Sequence, residues 1–281
     1  LVADPSYFKV LCRLKKAQPH YGYSLPSIYA PIRAALTVNY TQLFFNPSLK
    51  DKLMLGIDAI ARDYKKEDPL FQETVAKNVN FPDTVEGIQK TLNDLLKYPA
   101  LTCDIETTAL SLNKAWIESI AFASDKNTGT AFLINNEPLN PVKHSLRNFF
   151  RQYQGKLIFH NAPFDTKMLI SHLFMDTSVD MRGMLEGLDC LYRDLDDTMT
   201  LTYLATNSTA GNKLSLKEQA FEFAGNYALG EQLGDINKIP SDTLLEYNVT
   251  DTLATWYVYH KHRETVRQEQ EEVYQELFRP A

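Results

Sequence analysis

Asp104 and Glu106 stand two residues apart inside an otherwise apolar run, Leu101-Thr-Cys-Asp-Ile-Glu-Thr107. The composition of this run predicts a strand, and side chains alternate across a strand, so both carboxylates point to the same face. Two negative charges side by side on an apolar strand repel each other, and a bound divalent ion removes that cost. Alone, Asp-x-Glu is a weak signal, since short motifs recur by chance. Its value depends on what else the fold brings to that face.

From Tyr98 onward the chain alternates strands and helices. Ser119–Ala123 and Thr130–Ile134 read as strands that form a meander with Leu101–Thr107, turning at residues 125–129. Val142–Tyr153 is an amphipathic helix, Lys156–His160 a short buried strand, and Asp165–Leu173 a helix. A strand near Leu188–Leu191 and helices at Asp197–Ala205 and Ser215–Phe223 follow, with a polar loop at Asn207–Asn212. A long helical pattern then runs from Ser241 to about Arg279. Interleaved elements of this kind predict an α/β domain with a mixed sheet flanked by helices.

Residues 1–97 read differently, as a mainly helical N-terminal extension. Pro19, Pro26 and Pro31 interrupt a Tyr-rich stretch. Ser48–Arg62, Phe71–Val79 and Thr84–Leu96 show helical spacing, and residues 64–69 read as a loop. The expected division is 1–97, 98–270 for the α/β domain, and 271–281 as a terminal helix.

Bulk properties bound the class. With 281 residues, 44% hydrophobic and 23% charged, the chain can bury a real core. It holds no apolar run near the roughly 20 residues of a membrane-spanning helix. A signal peptide is not expected, because Lys9, Arg13, Lys15 and Lys16 interrupt its first residues. Leu1 in place of Met is what a fragment or processed product would show. Three scattered cysteines, Cys12, Cys103 and Cys190, form no zinc or disulfide pattern and fit a reducing, cytoplasmic setting. The net charge of −6 argues against gripping duplex DNA by bulk electrostatics. Residues 98–281 carry a net −9 against +3 in residues 1–97. An acidic domain still binds nucleic acid where its carboxylates gather around cations.

Two further acidic positions suit such a cluster. Asp165 follows the strand Lys156–His160 by the turn Asn161-Ala-Pro-Phe164, at the strand's carboxyl end, where α/β sheets place ligand sites. Alone, it fits a helix N-cap better than a ligand. Tyr247 and Asp251 share a face of the last helix, behind a capping box of Thr243 and Glu246. Alone, that pair reads as a half-buried tyrosine beside a solvated aspartate. His160 reads as a strand-end residue.

Together, Asp-x-Glu, Asn-x-x-Phe-Asp and Tyr-x-x-x-Asp resemble the motifs of the DnaQ-like exonucleases, in the branch with tyrosine in the last motif (DEDDy). Within it the chain is most similar to the proofreading domain of family A DNA polymerases, over about residues 98–270. Asp197-Thr-Met and Leu214-Ser-Leu-Lys-Glu-Gln-Ala220 look like secondary features of that family. The resemblance implies an RNase H-like fold and a two-metal-ion 3′-5′ exonuclease acting on single-stranded DNA 3′ ends. It implies Mg²⁺ or Mn²⁺ held by Asp104, Glu106, Asp165 and Asp251, with Tyr247 orienting the attacking water. Thr107, Leu110 and Asn161 match substrate-contacting positions, although Leu110 equally suits plain core. Ala162-Pro163 departs from the family pattern, which has a longer polar residue there.

Residues 273–281 resemble a helix leading into a polymerase domain, so a polymerase domain or subunit is an expected partner. A fragment or half of a split polymerase, from a bacteriophage acting in host cytoplasm, fits this pattern. Two other readings stay open: an RNA-trimming exonuclease of the RNase D kind, and an inactive fold kept as an interaction module. Residues 1–97 offer Tyr7, Phe8, Lys9, Arg13, Lys15 and Lys16 for docking to a partner or to nucleic acid. Packing as a cap on the exonuclease domain is the plainer role for them.

Overall fold

The Asp104–Glu106 run lies at the centre of a sheet. The structure is a computed structural model and describes residues 1–17, 20–67, 75–109, 111–112, 115–134, 140–206, 213–225 and 239–278. Contacts divide the chain into two compact units, the first built on Leu1–Thr74 and the second beginning at Val75.

In the first unit, α1 (Pro5–Leu11) starts at Asp4, whose carboxylate accepts the Ser6 and Tyr7 N–H groups at 2.7 and 3.1 Å. An antiparallel pair, β1 (Ser24–Pro26) and β2 (Arg33–Ala35), and the 16-residue α2 (Lys50–Lys65) complete its regular elements. Phe8, Ala35 and Leu36 are fully buried here. Phe8 is therefore a core residue and no stacking platform, whereas Tyr7 is exposed.

The second unit holds a six-stranded sheet in the order β3-β6-β5-β4-β7-β8. These strands are β3 (Asn78–Asn80), β4 (Ala100–Thr107), β5 (Ile117–Ala123), β6 (Thr128–Leu133), β7 (Lys156–Phe159) and β8 (Leu195–Asp197). β4, β5 and β6 form the expected antiparallel meander, while β3, β7 and β8 pair parallel to their neighbours.

Strand alternation separates two faces. Leu101, Cys103, Ile105, Ile120, Phe122, Leu157 and Phe159 enter the main core with α3 (Val85–Leu95), α4 (Pro141–Gln152), α5 (Ala162–Leu169) and α6 (Met181–Leu191). There Phe122, Phe149 and Phe150 pack edge to face. Burying each such ring contributes about 1.5–3 kcal/mol. After α6 the chain runs through β8, α7 (Thr198–Thr206) and two one-turn helices, α8 (Leu216–Gln219) and α9 (Phe221–Ala224). The opposite face, carrying Thr102, Asp104 and Glu106, is covered by the 29-residue α10 (Ser241–Glu269).

Small residues let α10 come close. Ala121 and Ala131 pack against Leu245 and Val249, and a Cβ on Gly129 would stand 2.8 Å from Cγ2 of Val249. The register sets Ala121 opposite Asp104 and Ser119 opposite Glu106, so small neighbours leave room for the carboxylates under the helix.

Several expectations are corrected. Asn78–Asn80 is an edge strand bonded to β6 and not the end of a helix; residues 71–74 lie outside the described residues. Leu188–Leu191 belongs to α6, which Asp180 caps by accepting the Gly183 N–H at 2.9 Å, and the strand comes at Leu195–Asp197. Met184, Leu188 and Leu191 follow helical rather than alternating spacing. The capping box does not form, because α10 begins at Ser241, before Thr243. The long helix stops at Gln270 (φ −136), and a short helix, α11 (Glu271–Val273), and a π turn, Tyr274–Phe278, follow. The Ser215–Phe223 helix is split into α8 and α9. The Asn207–Asn212 loop lies outside the described residues.

The division of contacts at 74/75 differs from the expected boundary at 97/98. Ile88, Leu92 and Leu95 of α3 enter the core of the α/β unit, and Val79 of β3 packs beside Ala131 and Val249. Among the described residues no helix is long and apolar enough to cross a membrane.

Candidate active site

β4 and α10 build the site between them through two rungs. The Thr102 hydroxyl donates to the carbonyl of Thr252 at 2.9 Å. Two residues further along β4, Oδ2 of Asp104 accepts the Asn248 amide at 2.7 Å. Two strand residues advance about 6.6 Å and four helix residues about 6 Å, so the rungs stay matched in an antiparallel crossing. Asn248 is fully buried, and its carbonyl oxygen accepts the Ser119 hydroxyl at 2.9 Å.

This crossing brings three carboxylates together. Oxygens of Asp104, Glu106 and Asp251 lie within 4.8 Å of one another. The set is all hard oxygen, the kind that suits Mg²⁺ or Mn²⁺. It therefore fits a divalent ion.

Asp165 sits beside this group and outside that 4.8 Å set. The helix expected from Asp165 starts at Ala162, so Asp165 lies in the first turn and is not the cap; the cap position is Asn161, in the left-handed region at φ 71. Asp165 is buried, and the nearby backbone N–H groups of Ile105 and of Asp165 itself favour its charged form. Asn161 donates its backbone N–H to Asp197 at 2.9 Å, and the same oxygen accepts the Met199 N–H at 2.9 Å. Asp197 thus pins the turn that sets Asp165.

The electrostatics follow from burial and crowding. Burial holds the Asp104 carboxyl well above the usual carboxylate range; the charges of Asp165, Asp251 and Glu106 push the same way, and Lys217 opposes them. Asp165 is raised by burial, then by Glu106 and Asp197, against its backbone hydrogen bonds. Burial also raises Asp197. Divalent charge at this point would relieve all of these.

The other expected residues are spread around the cluster. Tyr247 lies one helical turn before Asp251, with Nζ of Lys217 4.6 Å from its ring centroid. Thr107 is buried at the end of β4, its hydroxyl donating to the Ala109 carbonyl at 3.1 Å. Leu110 lies outside the described residues. His160 directly follows β7, its Nδ1 2.8 Å from the Thr198 hydroxyl, and burial pushes it down to about 4.

Three residues escaped the sequence reading: Asn248, Asp197 and Lys217. Asn248 carried a signal, because it interrupts the buried stripe of Leu244, Leu245, Val249 and Thr252. Lys217 and Asp197 carried none beyond the segments they belong to. Lys217 forms an ion pair with Asp251, its ammonium meeting both carboxylate oxygens.

Residues 79–267 match the model of the 3′-5′ exonuclease family, that of the DNA polymerase A exonuclease domain. The chain belongs to the DnaQ-like 3′-5′ exonucleases. A solved structure shares this fold. The catalytic core of RRP6 from Trypanosoma brucei is 17% identical, with a TM-score of 0.51 over 73% of this chain and 53% of that one. Brucella melitensis NrnC with bound Mg²⁺ is 17% identical (TM-score 0.47; 70% and 86% covered). Escherichia coli RNase D is 13% identical (TM-score 0.49; 70% and 47% covered). Comparison with curated proteins gives no match.

Proposed function

We propose that this domain hydrolyses the 3′-terminal phosphodiester of single-stranded DNA and releases nucleoside 5′-monophosphates. The observation that carries the reading is the meeting of Asp104 and Glu106 with Asp251 in a chain of the 3′-5′ exonuclease family. Asp104, Glu106 and Asp251 would hold one Mg²⁺ or Mn²⁺ ion, and Asp104 with Asp165 a second. When bound, two such ions lower the pKa of water and neutralise charge on the leaving oxygen.

The chain's own side chains set the geometry. Asn248 keeps the Asp104 carboxylate aimed at the cluster. Tyr247 orients the attacking water through its hydroxyl; a phenol pKa of about 10 makes it a poor base at neutral pH, so positioning is its role. Asn161 and Thr107 contact the terminal nucleotide. The Asp197 bond fixes the backbone from which the Asn161 amide projects.

DNA is the favoured substrate because the matching family is that of DNA polymerase A exonuclease domains. A polymerase domain or subunit is the corresponding partner, with proofreading as the role. The test is a direct comparison of 5′-labelled DNA and RNA single strands of one sequence, with Mg²⁺ and with Mn²⁺. Faster shortening of DNA is expected; faster shortening of RNA would move the domain to RNA trimming.

A further inference from the structure

Lys217 is placed as no solvated lysine would be. Its side chain is 20% exposed and that of Asp251 7%, and the two form an ion pair inside the carboxylate cluster. The same ammonium stands over the Tyr247 ring at 4.6 Å, so one cation engages both residues of the Tyr-x-x-x-Asp pair. Its helix is anchored independently. Leu216 and Ala220 are buried on either side of it. Gln219 accepts from the Lys261 ammonium through its carbonyl at 3.3 Å, and its side-chain oxygen lies 2.8 Å from Nε2 of His262. α8 is thereby fastened to α10 well beyond Asp251, which leaves Lys217 little freedom to withdraw.

Charge balance gives this placement a purpose. Four carboxylates and two divalent ions sum to zero. A phosphodiester then brings one negative charge, and its transition state gathers a second. A fixed ammonium leaves the loaded site positive, the sign that attracts the phosphate and steadies the developing charge. Resting on the exonuclease reading above, we infer that Lys217 is a positioning residue of the reaction: it holds Tyr247 and Asp251 in mutual register and supplies the positive charge that the scissile phosphate meets. A merely structural lysine, present to offset surplus carboxylate charge, would differ in turnover, because its removal would leave kcat unchanged at saturating ion.

The full-length Lys217→Met and Lys217→Arg chains separate these two roles. Mn²⁺ affinity is read by calorimetric titration without substrate, and kcat and KM on a 5′-labelled single strand at saturating Mn²⁺. Lys217→Met is expected to bind Mn²⁺ at least as tightly as the parent while kcat falls about 100-fold, the scale of losing one fixed electrostatic donor. Lys217→Arg keeps the charge and is expected to recover most of that loss. Should Lys217→Met fail to fold, Lys217→Gln carries the same expectation. An active parent beside a Lys217→Met or Lys217→Gln chain of unchanged kcat overturns this inference alone. A parent that cuts neither DNA nor RNA overturns the exonuclease reading and this inference with it.

Discussion

The buried Asn248 amide donates to Oδ2 of Asp104 at 2.7 Å while its carbonyl accepts from Ser119 at 2.9 Å. One side chain thus ties α10, β5 and the central carboxylate together. Replacing Asn248 by Leu strands the buried Ser119 hydroxyl and one oxygen of the half-buried Asp104, at a cost of about 1–3 kcal/mol. Asp104 would also turn more freely. Asn248→Leu is expected to lower the melting temperature and raise the Mn²⁺ concentration needed for half-maximal activity. Asn248→Asp should be worse, since it sets a further carboxylate against Asp104.

The crowding of carboxylates destabilises the ion-free fold. A carboxyl whose folded pKa is raised favours folding below the ordinary carboxylate range of about 4. That contribution is lost as pH rises toward the folded value. Asp104 and Asp165 are both raised. In EDTA, Asp104→Asn is therefore expected to melt above the parent at pH 8, and by less at pH 5. Mg²⁺ should raise the melting point of the parent and do so far less for the variant. Thermal melts with and without the ion check both points.

Tyr247→Phe removes the hydroxyl and keeps the ring beneath Lys217. Turnover is expected to fall by about ten- to a hundredfold, below the usual range for a true general base. Mn²⁺ affinity should be unchanged. Equal rates for Tyr247→Phe and parent would refute the positioning role.

Asp196 is buried on β8, where it accepts from Tyr259 at 3.0 Å and from Tyr274, with the Lys156 ammonium 3.0 Å away. Removing it takes one of two carboxylates from the half-buried Lys156, which keeps Asp194 at 2.7 Å, and takes an acceptor from both phenols. Asp196→Ala is expected to cost about 1–3 kcal/mol. Hydrogen exchange should rise in residues 271–278, which Tyr274 ties to the sheet. Exchange unchanged there would show that other contacts hold the segment.

Much of this was legible in the sequence. The alternation of Leu101–Thr107 put Asp104 and Glu106 on one face, and helical spacing put Tyr247 beside Asp251; the structure brings both pairs to one place. Elements that depend on partners were harder to read. Asn78-Val-Asn80 becomes a strand only because β6 offers an edge, and three residues carry too little pattern to say so. Leu188–Leu191 was apolar enough for either element, and it was Asp180 and the helical spacing from Met184 that decided. Asn248 and Lys217 bond across long sequence separations: the break in the buried stripe marks Asn248 without naming its partners, and nothing local marks Lys217.

The most direct test of the account is a 5′-labelled single-stranded DNA incubated with Mg²⁺ and either the parent or Asp104→Ala. A ladder that shortens stepwise from the 3′ end, absent in the variant and in EDTA, is the predicted result. Cleavage by Asp104→Ala at the parent's rate would contradict the account.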